Sequence, residues 1–158
     1  MIPIPVIILA IVYVIGIFVL SKTKVSRYVY GIGGNQEVAR LSGIKVARVK
    51  IAVYAISGFC SALAGLVMLG RVNSGQPRAG ESYEMDVITA VVLGGVSLNG
   101  GVGNLSHVIF GVLIIGVLTN GMTMMAVDDY WQRVVKGLIL LLAVSFDHYI
   151  QKKNIGRK

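Results

Sequence analysis

GIGGNQEVARLSGIKVARVK, residues 31–50, is a polar and basic stretch that lies between two long apolar runs. Residues 2–20 precede it and residues 51–70 follow it, and neither run contains a charged side chain. An α-helix needs roughly 20 predominantly apolar residues to cross the ~30 Å hydrocarbon core of a bilayer. The pattern therefore predicts two membrane-spanning helices joined by a polar loop, residues 21–50, that carries a short helix of its own.

The composition of the whole chain also indicates a membrane protein. Of its 158 residues, 55% are hydrophobic and 14% are charged, and the mean hydropathy is +0.77. A typical soluble domain carries about 25% charged residues, and a soluble chain of this length could not hide so much apolar surface. We expect an all-α, polytopic membrane protein in which residues 1–158 form a single transmembrane domain.

Three further spans are predicted after residue 70. Residues 87–127 contain no charged side chain, and they are about twice as long as one span. The glycine-rich sequence GGVSLNGGVGN, residues 94–104, divides them and predicts a tight turn, with an interrupted helix as the alternative. In the last span, Arg133 and Lys136 are expected to extend to the membrane interface. The five predicted spans are residues 2–20, 51–70, 86–98, 105–126 and 131–149.

The basic residues predict the orientation of these spans. Seven of the fifteen lie in residues 21–50, where Glu37 is the only acid, and four more lie in the tail, residues 150–158. Loops rich in Lys and Arg are retained in the cytoplasm. We therefore expect a cytoplasmic loop 21–50, a cytoplasmic C-terminus and an N-terminus outside, as if the chain continued another segment. The tail has no interleaved aromatic residues that could stack on bases, so nucleic acid is not an expected partner.

The glycine clusters do not match nucleotide-binding loops. In residues 31–36, Gln36 occupies the position of the third glycine in a dinucleotide fingerprint. In residues 95–102, Gly101 and Val102 stand where a phosphate-binding loop needs Lys and Ser or Thr. The two histidines are far apart and have no metal-binding spacing. We expect no catalytic residue, no metal site and no cofactor, and hence a protein that is not an enzyme.

Three segments, in colinear order, resemble the permease subunit of ribose-type ABC importers. They are TKVSRYVYGIGGNQEVARLSGIKVARVKI (23–51), QPRAGESYEMDVITAVVLGGVSLNGGVGN (76–104) and YWQRVVKGLILLLAV (130–144). That family serves ribose, xylose, galactose and related sugars, and branched-chain amino acid permeases are more distant members. Its permeases are about twice as long as this chain, and the five spans correspond to their C-terminal half. Ser26 departs from the family, which usually has Gly before the Arg.

The resemblance implies a cytoplasmic coupling helix that docks on a separate ABC ATPase, which would bind the ATP. Asn35 is a plausible N-cap for this helix, and Gly43 follows where a left-handed residue is wanted. An interfacial helix lying on lipid headgroups is the alternative for this segment. The residues assigned to coupling are Gly33, Gly34, Asn35, Glu37, Ala39, Arg40, Leu41, Ser42 and Gly43.

Polar residues in or near the later spans are further candidates. Glu84 and Asp86 are candidates for contact with a periplasmic or extracellular solute-binding protein, although a helix N-terminus favours acids without any partner. Four residues are candidates for the translocation path, although hydrogen bonds between helices would explain them equally well. These four are Asn99, Asn104, Thr119 and Asn120.

The expected function is that of a permease component for ATP-driven monosaccharide import, located in the bacterial inner membrane. Expected partners are the ATPase, the solute-binding protein, an N-terminal permease half, a second permease copy and the lipid bilayer. The alternatives are a permease for another small solute such as a branched-chain amino acid, a passive oligomeric channel, and a truncated remnant that transports nothing.

Overall fold

The structure is a computed structural model that describes residues 3–72, 74–75 and 80–155. Within these residues the chain forms helices and no strands, which confirms the all-α class. The helices are α1 (Ile4–Lys22), α2 (Lys24–Gly34), α3 (Gln36–Leu41), α4 (Val46–Val72), α5 (Tyr83–Leu93), α6 (Leu105–Met124) and α7 (Asp129–Ile155). The predicted span start at residue 2, the motif residues 76–79 and the tail residues 156–158 lie outside the described residues.

Three of the described helices are long and apolar enough to cross a membrane, namely α1, α4 and α6. No residue of α1 or α4 is buried. Helices that are apolar all round, as α1 is, are typical of membrane spans. The total of five spans stays a prediction. The chain divides into two compact units, Met1–Glu81 and Ser82–Lys158.

The first unit contains a helix that the sequence analysis missed. Residues 21–50 were predicted as a loop with one short helix, but they contain both α2 and α3. The glycines of GIGGN end α2 rather than forming a loop. Glycine is less favourable than alanine in a helix by about 1 kcal/mol, and the amphipathic pattern of α2 outweighs this because its inner face packs in the unit. Ser26, the departure from the family pattern, is buried on that face.

The second unit is held together by α5, which packs on both α6 and α7. The crossing with α6 is close because it is made at two glycines. A Cβ atom on Gly111 would lie 1.9 Å from the carbonyl oxygen of Ala90, and one on Gly94 would lie 2.6 Å from Cα of Val108. Small residues of this kind allow membrane helices to approach closely. The buried apolar side chains of this unit are Ala90, Val92, Val108, Ile115 and Met122.

The third predicted span is shorter as a helix than expected. It was predicted over residues 86–98, whereas α5 ends at Leu93 and a hydrogen-bonded turn follows. In this turn the amide of Ser97 donates to the carbonyl of Val102 at 3.0 Å. Gly95, Gly100 and Gly101 adopt positive φ angles of 76–83°, which residues other than glycine rarely adopt. The glycine-rich sequence is therefore a turn, and its predicted position at the inner surface stays a prediction.

Candidate functional site

The predicted coupling helix is present as α3, with the expected residues at its ends. Asn35 is the N-cap, and its side-chain oxygen accepts hydrogen bonds from the amides of Glu37 at 2.9 Å and Val38 at 3.1 Å. After the helix, Gly43 has a φ of 83°, which is the left-handed conformation that commonly ends a helix. Both predictions are confirmed, because capping depends only on the local sequence.

Contacts with α2 and α4 fix the orientation of α3 within the first unit. Ala39 is 5% exposed, so its methyl group faces this unit. The Nζ atom of Lys50 on α4 donates to Oε1 of Gln36 at 2.5 Å, and the amide of Ile44 donates to the carbonyl of Ala39 at 3.1 Å. Ala39, one of the predicted coupling residues, therefore positions α3 on its neighbours and presents no side chain to a partner.

The opposite face of α3 is open. Leu41 is 83% exposed and Val38 is 57% exposed, while Glu37 and Arg40 are also exposed. Glu37, Arg40 and Leu41 line one surface hollow together with Asn35. Two charges of opposite sign and an apolar side chain are thus presented on the open face of a helix that contacts α2 and α4. Of the remaining coupling residues, Gly33 and Gly34 end α2, and the Ser42 hydroxyl donates to the carbonyl of Val38.

The four residues predicted for a translocation path do not form one cluster. Asn104 caps α6 by accepting from the amide of Ser106 at 2.9 Å, and Asn99 lies in the glycine-rich turn. Thr119 and Asn120 lie near the other end of α6, about 22 Å away from Asn104 along the helix. The Oγ1 atom of Thr119 is buried and has no hydrogen-bond partner among the described residues. The other three residues are exposed, so Thr119 is the one of the four whose side-chain oxygen is both buried and without a partner among the described residues.

Glu84 and Asp86 lie in the first turn of α5, as predicted, but they have different surroundings. Glu84 is exposed. Asp86 accepts from Nζ of Lys136 on α7 at 2.7 Å, and the side chains of Lys136 and Asp86 are 14% and 23% exposed. In the structure the ammonium of Lys136 contacts the Asp86 carboxylate, and the expectation that Lys136 extends to the membrane interface stays a prediction.

The ion pair of Asp86 and Lys136 was missed because its members are far apart in sequence. The predicted topology could have indicated this contact, since it places the starts of the third and fifth spans, where Asp86 and Lys136 lie, on the same side of the membrane. The pair and its neighbours line an open hollow between α5 and α7. Within the described residues, no group of three His, Cys, Asp or Glu side chains could hold a metal ion.

Comparison with known proteins identifies the family. Residues 1–144 match the family described as branched-chain amino acid transport system / permease component. The chain belongs to this family. The permease family and the membrane-length helices α1, α4 and α6 together make it a multi-pass membrane protein of the inner membrane.

Relatives within the permease family are similar over nearly the whole chain. The ribose import permease protein RbsC of Haemophilus influenzae is 45% identical over 154 residues, covering 98% of this chain and 48% of that protein. RbsC of Bacillus subtilis is 50% identical over 146 residues, covering 92% and 45%. The xylose transport system permease protein XylH of Escherichia coli is 46% identical over 153 residues, covering 97% and 39%. The chain thus spans about half the length, or less, of these relatives. No solved structure matches it.

Proposed function

We propose that this chain is the C-terminal half of a permease that imports a monosaccharide across the bacterial inner membrane. One observation carries the proposal: relatives that are 45–50% identical over 92–98% of the chain are named as ribose or xylose permeases. These relatives are named as transport proteins rather than enzymes. The activity would require an N-terminal permease half and, by the family resemblance, a second permease copy.

A separate cytoplasmic ABC ATPase would drive transport through α3. A helix of six residues is unstable on its own and needs a partner surface. Here α2 and α4 supply one such surface through Ala39, Gln36 and Lys50. The side chains of Glu37, Arg40 and Leu41 are exposed and would contact the ATPase. Because α3 contacts α4, a force on α3 would be passed to a membrane-length helix, which would move as a rigid body. The ATPase would bind ATP, and this chain would need no cofactor.

A solute-binding protein would deliver the sugar on the outer side of the membrane. Glu84 is the better candidate for this contact because its carboxylate is exposed, whereas Asp86 is engaged with Lys136. In the path itself, Thr119 is the strongest candidate, since a buried hydroxyl without a partner is unfavourable. A sugar hydroxyl or a polar group of the N-terminal half would satisfy it. The C-terminal tail would lie in the cytoplasm.

The test is solute uptake by a reconstituted system. The chain is co-expressed with the N-terminal half of a ribose permease, its ATPase and its binding protein in a bacterium that lacks ribose and xylose uptake. Labelled ribose, xylose and leucine are then supplied. We expect ribose or xylose uptake that requires an ATPase competent for hydrolysis. Uptake of leucine alone, sugar flux without the ATPase, or no uptake by an assembled complex would each refute the proposal.

A further inference from the structure

Three basic residues lie at the corner between α1 and α2. Lys22 is the last residue of α1, Lys24 is the first residue of α2, and Arg27 follows one turn later. Only Thr23 separates the helices; it is extended, with φ −105° and ψ 159°, and its hydroxyl donates to the carbonyl of Val19 at 2.6 Å. The corner therefore places three cations at the end of a helix that is long enough to cross a membrane, and the headgroups of the lipid would lie at that end.

None of these three cations has an acidic partner in the described part of the chain. The ion pair found there joins Lys136 and Asp86 in the other unit. Lys22, Lys24 and Arg27 are all exposed. Because Lys24 and Arg27 are three residues apart on a helix, their side chains lie on the same side of α2. Together they form an uncompensated positive site.

Apolar side chains on α2 accompany these charges on its outer side. Val25 is 43% exposed and Tyr28 is 42% exposed, whereas Ser26 on the inner side is 9% exposed. A short helix that presents Lys, Arg, an aromatic ring and an aliphatic side chain is typical of the membrane interface, where Tyr sits at headgroup level. By contrast, α3 is a separate helix beyond Asn35 and is the part assigned to the ATPase.

We propose that Lys22, Lys24 and Arg27 form a binding site for the phosphate headgroup of an anionic phospholipid, with Val25 and Tyr28 contacting the upper acyl chain. Basic clusters immediately cytoplasmic of a span attract anionic lipid electrostatically. The Arg27 guanidinium can donate two hydrogen bonds to one phosphate, and the lysines add point charges. The site does not depend on the transported solute, and it orients α2 and thereby the attached α3.

The test compares lipid retention by the full chain purified in a mild detergent. Equal amounts of phosphatidylglycerol and phosphatidylcholine are added, and bound lipids are counted by native mass spectrometry. We expect the wild-type chain to prefer phosphatidylglycerol. One basic residue near an anionic surface contributes about a fivefold gain in binding, so K24Q/R27Q should lower the preference about 25-fold. The variant R27K keeps the charge but loses the bidentate geometry. It should lower the preference for phosphatidylglycerol less than R27Q does.

The matched control is K45Q/R48Q, which removes the same charge from two exposed positions around the start of α4. It should lower the preference much less than K24Q/R27Q does, because neither Lys45 nor Arg48 belongs to the proposed site. Equal losses in both double variants would overturn the proposal in favour of a diffuse charge effect. So would full displacement of the lipid by glycerol phosphate, which has no acyl chain for Val25 and Tyr28.

Two further outcomes decide the proposal. If K24Q/R27Q fails to fold by circular dichroism, the single variants K24Q and R27Q replace it, each with an expected loss of about fivefold. If these variants retain the wild-type lipid preference but lose association with the ATPase, the corner binds protein and the proposal is wrong.

Discussion

Gly111 has no side chain at the point where α6 crosses α5. The space that a methyl group would need is occupied by the backbone oxygen of Ala90, only 1.9 Å from the Cβ position. Backbone cannot rotate away as a flexible side chain can, so α5 and α6 would have to separate. Gly116, five residues later on the same helix, has nothing within 4 Å of its Cβ position. The two glycines therefore provide a matched pair for testing the close crossing.

We predict that Gly111→Ala destabilises the chain by about 1–3 kcal/mol, the usual range for overpacking. Gly116→Ala should change stability by less than about 1 kcal/mol, the difference in helix propensity between the two residue types. The free energy of unfolding in mixed detergent micelles, followed by circular dichroism, measures both. Equal effects of the two substitutions would mean that α5 and α6 do not cross closely.

Asp86 and Lys136 join α5 to α7 through a partly buried ion pair. We predict that Asp86→Asn destabilises the chain by about 1–3 kcal/mol, between the values for exposed and fully buried pairs, because Lys136 loses its counter-charge. The double variant D86N/K136M should regain part of that stability, since no cation is left unpaired. Unfolding in the same micelles measures both effects. A double variant as unstable as the sum of the two single variants would argue against the pair.

At the scale of helices, the sequence predicted what depends on neighbouring residues and missed what depends on distant ones. The cap at Asn35 and the conformation of Gly43 follow from local backbone hydrogen bonding, and both were predicted. The helix α2 was missed because its glycines resemble a loop, while the contacts of its buried face come from elsewhere in the unit. The pair of Asp86 and Lys136 was missed for the same reason, because its members are fifty residues apart.

The helix α3 should depend on its N-cap. Asn35→Ala removes the acceptor of two backbone hydrogen bonds and should destabilise α3 by about 1 kcal/mol. Hydrogen exchange at the amides of Glu37 and Val38 should then become about fivefold faster, while exchange in α6 should not change. Asn35→Asp is the control, since aspartate caps helices equally well. If N35A leaves exchange at these two amides unchanged, the cap contributes nothing to α3.

At the scale of the whole molecule, the proposed function requires that a separate ATPase contact the membrane domain through α3. Leu41 is the residue best suited to test this contact, because its apolar side chain is 83% exposed. Its substitution should weaken binding of the partner more than it destabilises the fold. We predict that Leu41→Asp keeps the helical content and the free energy of unfolding of the chain within about 0.5 kcal/mol of wild type, as surface substitutions usually do. A large loss of stability would show that Leu41 packs within the protein instead.

The most direct test of the account is ATP-dependent uptake of labelled ribose into proteoliposomes that contain this chain, an N-terminal permease half and the ATPase, with the sugar-loaded binding protein outside. The wild-type chain should support uptake only when ATP is supplied to the ATPase, and Leu41→Asp should lower the rate at least about tenfold, as expected for an anchor residue at an interface. Ribose uptake that proceeds equally without ATP, or that is unchanged by Leu41→Asp, would contradict the claim that this chain is a sugar permease half driven through α3.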